Sequence, residues 1–204
     1  MRTNRFSSLW TFFLAAIAWF LVATLGWMQV SAWTSYPSAA IAHILLGNGA
    51  KDWVRTIHKT PGQLQVETRV EVPVPENAQG QGKADLVVEA DPARYAYGLP
   101  LFLALLLASR SRNFIRRALA GYFILLIPQT FSLVFDVLKQ ILVAAGHPES
   151  LGIASWQMEA IALGYQFGSL LLPTLAPIAL WFWLDRAFFA AVIVEGWLRR
   201  TEAK

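Results

Sequence analysis

Polar side chains interrupt two of the long apolar runs in this sequence, and their types are the ones best suited to chemistry. Charged and amide groups at membrane depth are costly, so they usually face other protein segments or water. They suit three roles, which are hydrogen bonding between helices, docking of a partner protein, and a pathway for protons or ions. The residues singled out, with two glycines that allow close helix contact, are Gln129, Asp136, Lys139, Gln140, Glu159, Gly164, Gln166 and Gly168.

The spacing of these residues predicts how two helices pack. At about 1.5 Å of rise per residue, Gln129 and Gln166 both lie near the middle of the membrane, whereas Lys139 and Glu159 approach the outer interface. We therefore predict antiparallel packing, with Gln129 near Gln166 and Lys139 near Glu159. Residues three, four or seven apart share a helix face, which groups 129, 132, 136 and 140 on one helix and 159 and 166 on the next.

Recognisable motifs are few. Gly164-Tyr-Gln-Phe-Gly168 has GxxxG spacing, which permits a close helix contact inside this chain or with a partner. A phosphate-binding loop and a nucleophile elbow are absent from the sequence. The chain has no cysteine, and His43, His58 and His147 are far apart in sequence. We therefore predict no catalytic residues, no cofactor and no metal site.

Composition indicates an integral membrane protein. Of 204 residues, 56% are hydrophobic and only 15% are charged, against about 25% charged in soluble domains. The net charge is +4. Because the cations flank apolar runs, anionic lipid headgroups are the expected contacts, and nucleic acid is not.

Four apolar runs predict transmembrane helices at residues 9–30, 95–109, 118–145 and 156–184. The second is long enough only if its helix extends outward through Tyr95 and Tyr97. Val30-Ser31-Ala32 resembles a signal-peptide cleavage site, but the apolar run before it exceeds the roughly 7–15 residues of a signal peptide. We therefore expect an uncleaved anchor. In the tail 185–204, residues 187–197 either extend the fourth helix or lie on the membrane surface.

Residues 31–94 differ because acidic and basic side chains mix, as on a solvated surface. The apolar segment 38–46 predicts an interfacial helix that ends at Gly47-Asn48-Gly49. Lys51–Lys59 predicts a second short helix carrying Trp53 and Ile57.

Alternation of β-branched and polar residues after position 63 predicts a β-hairpin over residues 63–90, with its turn at 77–82. An isolated hairpin is marginal in water. Its apolar face must therefore cover the interfacial helix, the membrane, a third strand or a partner protein.

Basic clusters predict the orientation of the chain, because cations in short loops stay cytoplasmic. An even number of spans puts all the clusters on one side, and four spans satisfy this. The predicted fold is mainly α, a polytopic protein with four transmembrane helices, both termini inside, and a small exoplasmic α+β insert at 31–94. The topology-determining residues are Arg2, Arg5, Arg110, Arg112, Arg116, Arg117, Arg199 and Arg200.

Two segments resemble a known family. They are Arg94-Tyr-Ala-Tyr-Gly-Leu-Pro-Leu-Phe-Leu-Ala-Leu-Leu-Leu-Ala108 and the stretch from Gln129 through Phe135-Asp136-Val-Leu-Lys139. They are similar to the exosortase H-associated membrane proteins, which are small bacterial inner-membrane proteins. The resemblance implies an accessory role in protein sorting at the periplasmic face. Exosortases use a catalytic cysteine, so a chain without cysteine is not itself one.

Two functions remain open from the sequence. The first is a non-enzymatic accessory protein that binds the lipid bilayer and a membrane partner, which the resemblance implies is an exosortase. The second is a small transporter or channel subunit, in which the polar residues of the third and fourth helices line a pathway. A pathway would require an oligomer because four helices leave little room for a pore, and the sequence does not give the oligomeric state.

Overall fold

The computed structural model describes residues 6–73, 83–111, 113–146, 152–186, 188 and 190. The protein is mainly helical, with one antiparallel sheet of three strands within these residues. In chain order the elements are α1 (Phe6–Thr34), α2 (Tyr36–Gly49), β1 (Val54–Thr60), β2 (Gln63–Pro73), β3 (Lys83–Ala90), a 3-10 helix (Pro92–Tyr95), α3 (Gly98–Ala108), α4 (Phe114–Ala144), α5 (Ser155–Gln166), a π-helical turn (Phe167–Leu171) and α6 (Leu172–Leu184). The predicted hairpin turn at 77–82 lies outside the described residues.

Within the described residues, three helical stretches are long and apolar enough to cross a membrane: Trp10–Gly49, Phe114–Ala144 and Ser155–Leu184. The predicted second span, residues 95–109, corresponds to α3, which has only 11 residues. Its length is roughly 16 Å, about half of the hydrocarbon layer. Because Tyr95 belongs to a separate 3-10 helix, the predicted outward extension of α3 is wrong, and four spans are not confirmed.

The chain forms two compact units, and the long helices contribute residues to both. The helical unit contains the described residues within 1–28, 98–125 and 174–204. The sheet unit contains those within 29–97 and 126–173. Each unit has its own cluster of buried apolar side chains.

The core of the helical unit depends on close packing of α3 against α4. Phe102 of α3 is fully buried, and a Cβ atom added to Gly121 of α4 would lie only 2.1 Å from the Phe102 ring. Aromatic contacts join the other helices, since the Trp181 ring of α6 stacks on Phe12 of α1 with centroids 5.6 Å apart. Glycine at position 121 is therefore what lets the aromatic ring fill this core.

In the sheet unit, β2 is the central strand between β1 and β3. The predicted alternation is visible in β2, where Leu64, Val66 and Thr68 are fully buried and Arg69 is exposed. β2 and β3 pair antiparallel, with Val66 opposite Val88. The buried face of β2 is thus the one that carries the β-branched residues.

The predicted short helix at Lys51–Lys59 is wrong, because this segment contains strand β1. Trp53 and Ile57 are four residues apart, which fits a helix as well as a partly exposed strand. Ile57 instead pairs with Val66 of β2. The β-branched composition of Val54–Thr60, together with a neighbouring strand that offers backbone hydrogen bonds, favours the extended conformation.

The interfacial segment forms helix α2, which is longer than the predicted 38–46. The helix continues through Gly47-Asn48-Gly49 instead of ending there. The Asn48 side chain donates a hydrogen bond to the Ile44 carbonyl at 2.9 Å, and the Ala50 N–H caps the Leu46 carbonyl. These bonds satisfy carbonyl groups of the last turn, which the glycine-rich sequence alone does not predict.

The apolar face of the sheet is covered by two helices. Its buried side chains form one cluster with residues of α2 and of α4. The interfacial helix was among the predicted coverings, and β1 supplies a third strand, but α4 was not expected there. The helix residues that cover the sheet are Ala39, Ala42, Leu46, Leu133, Val137 and Ile141.

Candidate functional site: the polar faces of α4 and α5

The polar face of α4 points into the sheet unit. Gln129, Ser132 and Asp136 are 5%, 1% and 4% exposed. The Gln140 amide nitrogen lies 3.1 Å from Asp136 Oδ2 and 3.3 Å from the carbonyl oxygen of Glu89 in β3. Gln140 therefore connects the buried carboxylate of α4 to the backbone of the sheet.

Tyr95 lies beside this carboxylate, in the 3-10 helix outside the three candidate spans. Burial of Tyr95 and, next, the negative charge of Asp136 raise the pKa of its phenol. The Tyr95 hydroxyl forms no hydrogen bond among the described residues, although Asp136 acts on it electrostatically. The phenol therefore stays neutral.

Sequence reasoning missed Tyr95 as part of this site, because it considered the residue only as an outward extension of the second span. A signal was present, since Tyr95 and Asp136 belong to the two segments that carry the family resemblance. The structure brings these segments together. The polar residues of the two segments can donate and accept hydrogen bonds. Within the described residues, no group of three acidic or histidine side chains is placed to hold a metal.

The GxxxG pair forms a close contact between α5 with its π-helical turn and α4, inside this chain. A Cβ atom at Gly164 would lie 2.2 Å from the Phe135 ring, and one at Gly168 would lie 3.0 Å from the Ser132 Cα. Small residues at these two positions let the helix backbones approach.

Ser132 satisfies a carbonyl group that Pro173 leaves without a partner. In the π-helical turn the Leu172 N–H bonds the Phe167 carbonyl, five residues earlier. The same pattern would pair the Gly168 carbonyl with residue 173, but proline has no N–H. The Ser132 Oγ lies 2.7 Å from the Gly168 carbonyl oxygen and 2.8 Å from the Pro128 carbonyl oxygen of the same helix as Ser132. The single hydroxyl proton is therefore shared between two acceptors.

Lys139 has a different neighbour from the one predicted. Its ammonium nitrogen lies 4.8 Å from the centre of the Tyr165 ring, a cation–π contact. Glu159 is exposed, and no ion pair joins it to Lys139 among the described side chains. Gln129 and Gln166 do not pair as predicted either. Gln129 is buried, and its Oε1 has no hydrogen-bond partner among the described residues, whereas Gln166 is exposed.

Two polar residues of α5 face away from the chain. Glu159 and Gln166 are exposed, and so are the apolar side chains beside them, with Leu163 64% exposed and Leu170 70% exposed. Spacings of four and seven residues put Glu159, Leu163 and Gln166 on one face. We call these three residues the outer face of α5.

The basic clusters divide into described and undescribed residues. Arg110 and Arg116 are exposed. Arg117 instead forms an ion pair of 2.9 Å with Asp185, which is only 5% exposed and also accepts a hydrogen bond of 2.8 Å from Ser109. The predicted topology residues outside the described part of the chain are Arg2, Arg5, Arg112, Arg199 and Arg200.

The pair of Arg117 and Asp185 was missed by sequence reasoning, which considered Arg117 only as a topology-determining residue. The signal was a lone acid directly after the fourth apolar run. A buried carboxylate needs a partner, and Arg117 at the start of α4 supplies one.

Comparison with known proteins places the chain in a family. Residues 6–188 match the family described as exosortase H-associated membrane protein. The chain belongs to this family. The match confirms the predicted family, and its range includes Arg94–Ala108 and the segment from Gln129 to Lys139. No curated protein and no solved structure matches this family member.

Proposed function

We propose that this protein is a non-catalytic accessory protein of the bacterial inner membrane, which binds an exosortase-type transpeptidase at the outer face of the membrane. The family description supports association with exosortase H. The observation that carries the proposal is the outer face of α5, which presents polar groups outward from an apolar helix.

The physical argument rests on where hydrogen bonds are made. On α4, Ser132 and Asp136 already have partners inside the chain. On α5, Glu159 and Gln166 are exposed within a stretch that is apolar and long enough to cross a membrane. A polar group facing lipid is costly, and a hydrogen bond to a neighbouring helix removes that cost. The outer face of α5 therefore suits a partner helix that carries a complementary polar group.

The sheet offers a second contact for the partner or its substrate. β1 and β3 are edge strands, and strand addition to an edge binds an extended peptide through its backbone. The apolar face of the sheet is occupied by α2 and α4. A sheet contact would thus use an edge or the polar face.

Contacts within the helical unit support an even number of membrane crossings. Phe12 near the start of α1 stacks on Trp181 near the end of α6. Ser109, after α3, and Arg117, at the start of α4, both bind Asp185 after α6. These four helix ends therefore lie together, as they would if both termini were cytoplasmic and the insert were periplasmic.

This topology needs four crossings, and α3 would be one of them, the second along the chain. A short helix can serve if protein surrounds it, because backbone groups at its ends then find partners other than lipid. Gly98, Phe102 and Leu106 of α3 are buried. Reporter fusions at Gln79 and Asn113 test the assignment, with a periplasmic signal expected at Gln79 and a cytoplasmic one at Asn113. A periplasmic signal at Asn113 would overturn it.

Co-purification tests the partner. The chain is co-expressed with a tagged exosortase-type protein, extracted in mild detergent, and the retained fraction is measured. A membrane hydrogen bond contributes about 0.6–2 kcal/mol, so Gln166→Leu should weaken retention roughly 3- to 30-fold. Because the sequence has no cysteine, single cysteines at Leu163 and Leu14 also allow selective cross-linking, with cross-links expected only from Leu163.

The matched control is Gln29→Leu. Gln29 is also an exposed glutamine in a candidate span, but it lies beside Ser31 and Thr34 near the end of α1. Retention should be unchanged in this variant. Recovery of no specific membrane partner, or equal retention by the Gln166→Leu variant and the wild type, would count against the proposal.

The alternative, an oligomeric transporter or channel subunit, makes a different prediction. It expects Asp136→Asn to change a measurable flux in proteoliposomes. The accessory function expects no flux in the wild type or in the variant. The contacts of Asp136 and Lys139 inside the chain favour a structural role for both residues.

A further inference from the structure

An open pocket lies between α2 and the sheet, away from the polar faces of α4 and α5. Its volume is about 430 Å³. All of its lining residues belong to the sheet unit. The side chains that give it chemical character are His43, Lys51, Arg55 and Arg69, and no acidic residue lines it.

Two of these cations have no acidic partner among the described residues. Arg55 forms an ion pair with Asp85 of β3. Among the described side chains, no acid lies within 4.0 Å of Lys51 or Arg69, and both residues are exposed. Arg69 lies on β2 and Lys51 on the segment after α2, so two elements converge on one unneutralised positive site. A site of this charge suits an anion with several acceptor oxygens, such as phosphate.

The surface of α2 next to the pocket carries exposed apolar side chains, which favours a lipid as the source of the phosphate. His43 and Gly47 line the pocket from α2. Beside them on the same helix, Ile44 is 61% exposed and Leu45 is 50% exposed. α2 is continuous with an apolar stretch long enough to cross a membrane. An acyl chain can cover these two side chains while the headgroup reaches the cations.

We infer that this pocket binds the phosphate of an anionic phospholipid headgroup, with Lys51 and Arg69 as its main ligands. The inference does not depend on the proposed exosortase partner. Lipid binding at this pocket would hold α2 at the membrane interface. A zwitterionic lipid also carries a phosphate, but its own cation offsets the attraction.

Native mass spectrometry of the full chain in neutral detergent tests the site. Phosphatidylglycerol, phosphatidylcholine and inorganic phosphate are titrated separately. We expect a saturable site for phosphatidylglycerol, weaker binding of phosphatidylcholine, and no comparable binding of inorganic phosphate. A cation near an anionic lipid surface contributes enough to change affinity about fivefold, so K51Q/R69Q should weaken phosphatidylglycerol binding roughly 25-fold.

The matched control is Lys59→Gln, which removes the same charge from β1 outside the pocket lining. It should bind phosphatidylglycerol like the wild type. Equal binding of the two lipids by the wild type would overturn the inference, and this comparison holds even if the double variant does not fold. So would unchanged binding in a folded K51Q/R69Q variant, or binding of inorganic phosphate as tight as that of the lipid. Displacement of the lipid by a short polyglutamate peptide at lower concentration would assign the pocket to an acidic peptide instead.

Discussion

The polar faces of α4 and α5 are alike in sequence and opposite in environment. Both helices are apolar stretches interrupted by glutamine and acidic residues at helical spacing. On α4 these residues point inward, where Gln140 bonds Asp136 and the sheet. On α5, Glu159 and Gln166 point outward. Polar groups that the chain satisfies itself hold the fold together, whereas those it leaves outside suit another molecule.

The largest effect is expected where α4 meets the second glycine of the GxxxG pair. Gly168→Leu places side-chain atoms against the Ser132 backbone, where even a Cβ would be 3.0 Å away. Overpacking of this kind costs about 3 kcal/mol, so the melting temperature in detergent should fall clearly. Gly26→Leu is the control, because nothing lies within 4 Å of a Cβ there. Similar melting temperatures for the two variants would contradict the contact.

A smaller loss of stability is expected from the inward face of α4. Gln140→Leu removes hydrogen bonds to the Asp136 carboxylate and to the Glu89 carbonyl, which should lower the free energy of unfolding by about 1–2 kcal/mol. Equilibrium unfolding in mild detergent measures this difference. Gln29→Leu, at an exposed position, provides the comparison and should change stability by less than about 0.5 kcal/mol. Equal values would show that the inward bonds contribute little.

The same substitution at two further glutamines tests the difference between the inward face of α4 and the outer face of α5. Gln129→Leu removes a buried oxygen that has no hydrogen-bond partner among the described residues, and Gln166→Leu removes an exposed amide. We expect each to change stability by less than about 1 kcal/mol. Only Gln166→Leu should reduce partner retention. If neither variant alters folding or retention, the polar faces are wrongly assigned.

The smallest effect at neutral pH is expected for Tyr95→Phe, because its hydroxyl has no hydrogen-bond partner among the described residues. The folded protein raises the pKa of this phenol above its ordinary value of 10.0. The neutral phenol therefore stabilises the fold fully below about pH 10, and this contribution is lost as pH rises further.

Melting temperatures at pH 7 and pH 11 test the effect. The wild type should lose more stability than the Tyr95→Phe variant between the two values. Tyr97→Phe, at an exposed position, should behave like the wild type. An identical pH response of all three proteins would show that Asp136 and burial do not affect Tyr95.

The strands of the sheet were predicted from sequence only in part. Alternation at Leu64, Val66 and Thr68 predicts a strand, because period two leaves no other regular structure. Spacing alone did not distinguish helix from strand at Trp53 and Ile57, where the neighbouring strand decides. Such neighbours are not visible in a local pattern.

Depth and rotation are separate properties of a membrane helix. Counting residues placed Gln129 and Gln166 at similar depth, but it gave no information on which way each side chain points. The GxxxG spacing indicated a close contact without naming Ser132 and Phe135 as its partners. The distance between Arg117 and Asp185 in sequence likewise concealed their ion pair.

That ion pair has a consequence for the order of events during synthesis. Arg117 leaves the ribosome before Asp185, and at roughly 5–20 residues per second the delay is about 3–14 seconds. Under the proposed topology, Arg117 would act during this interval with its neighbouring cations in orienting the nascent helices. After Asp185 is synthesised, the Arg117 guanidinium forms the ion pair that links the start of α4 to the segment after α6. Under that topology, the Arg117 side chain would first help to orient the helices and later stabilise the folded helical unit through its ion pair.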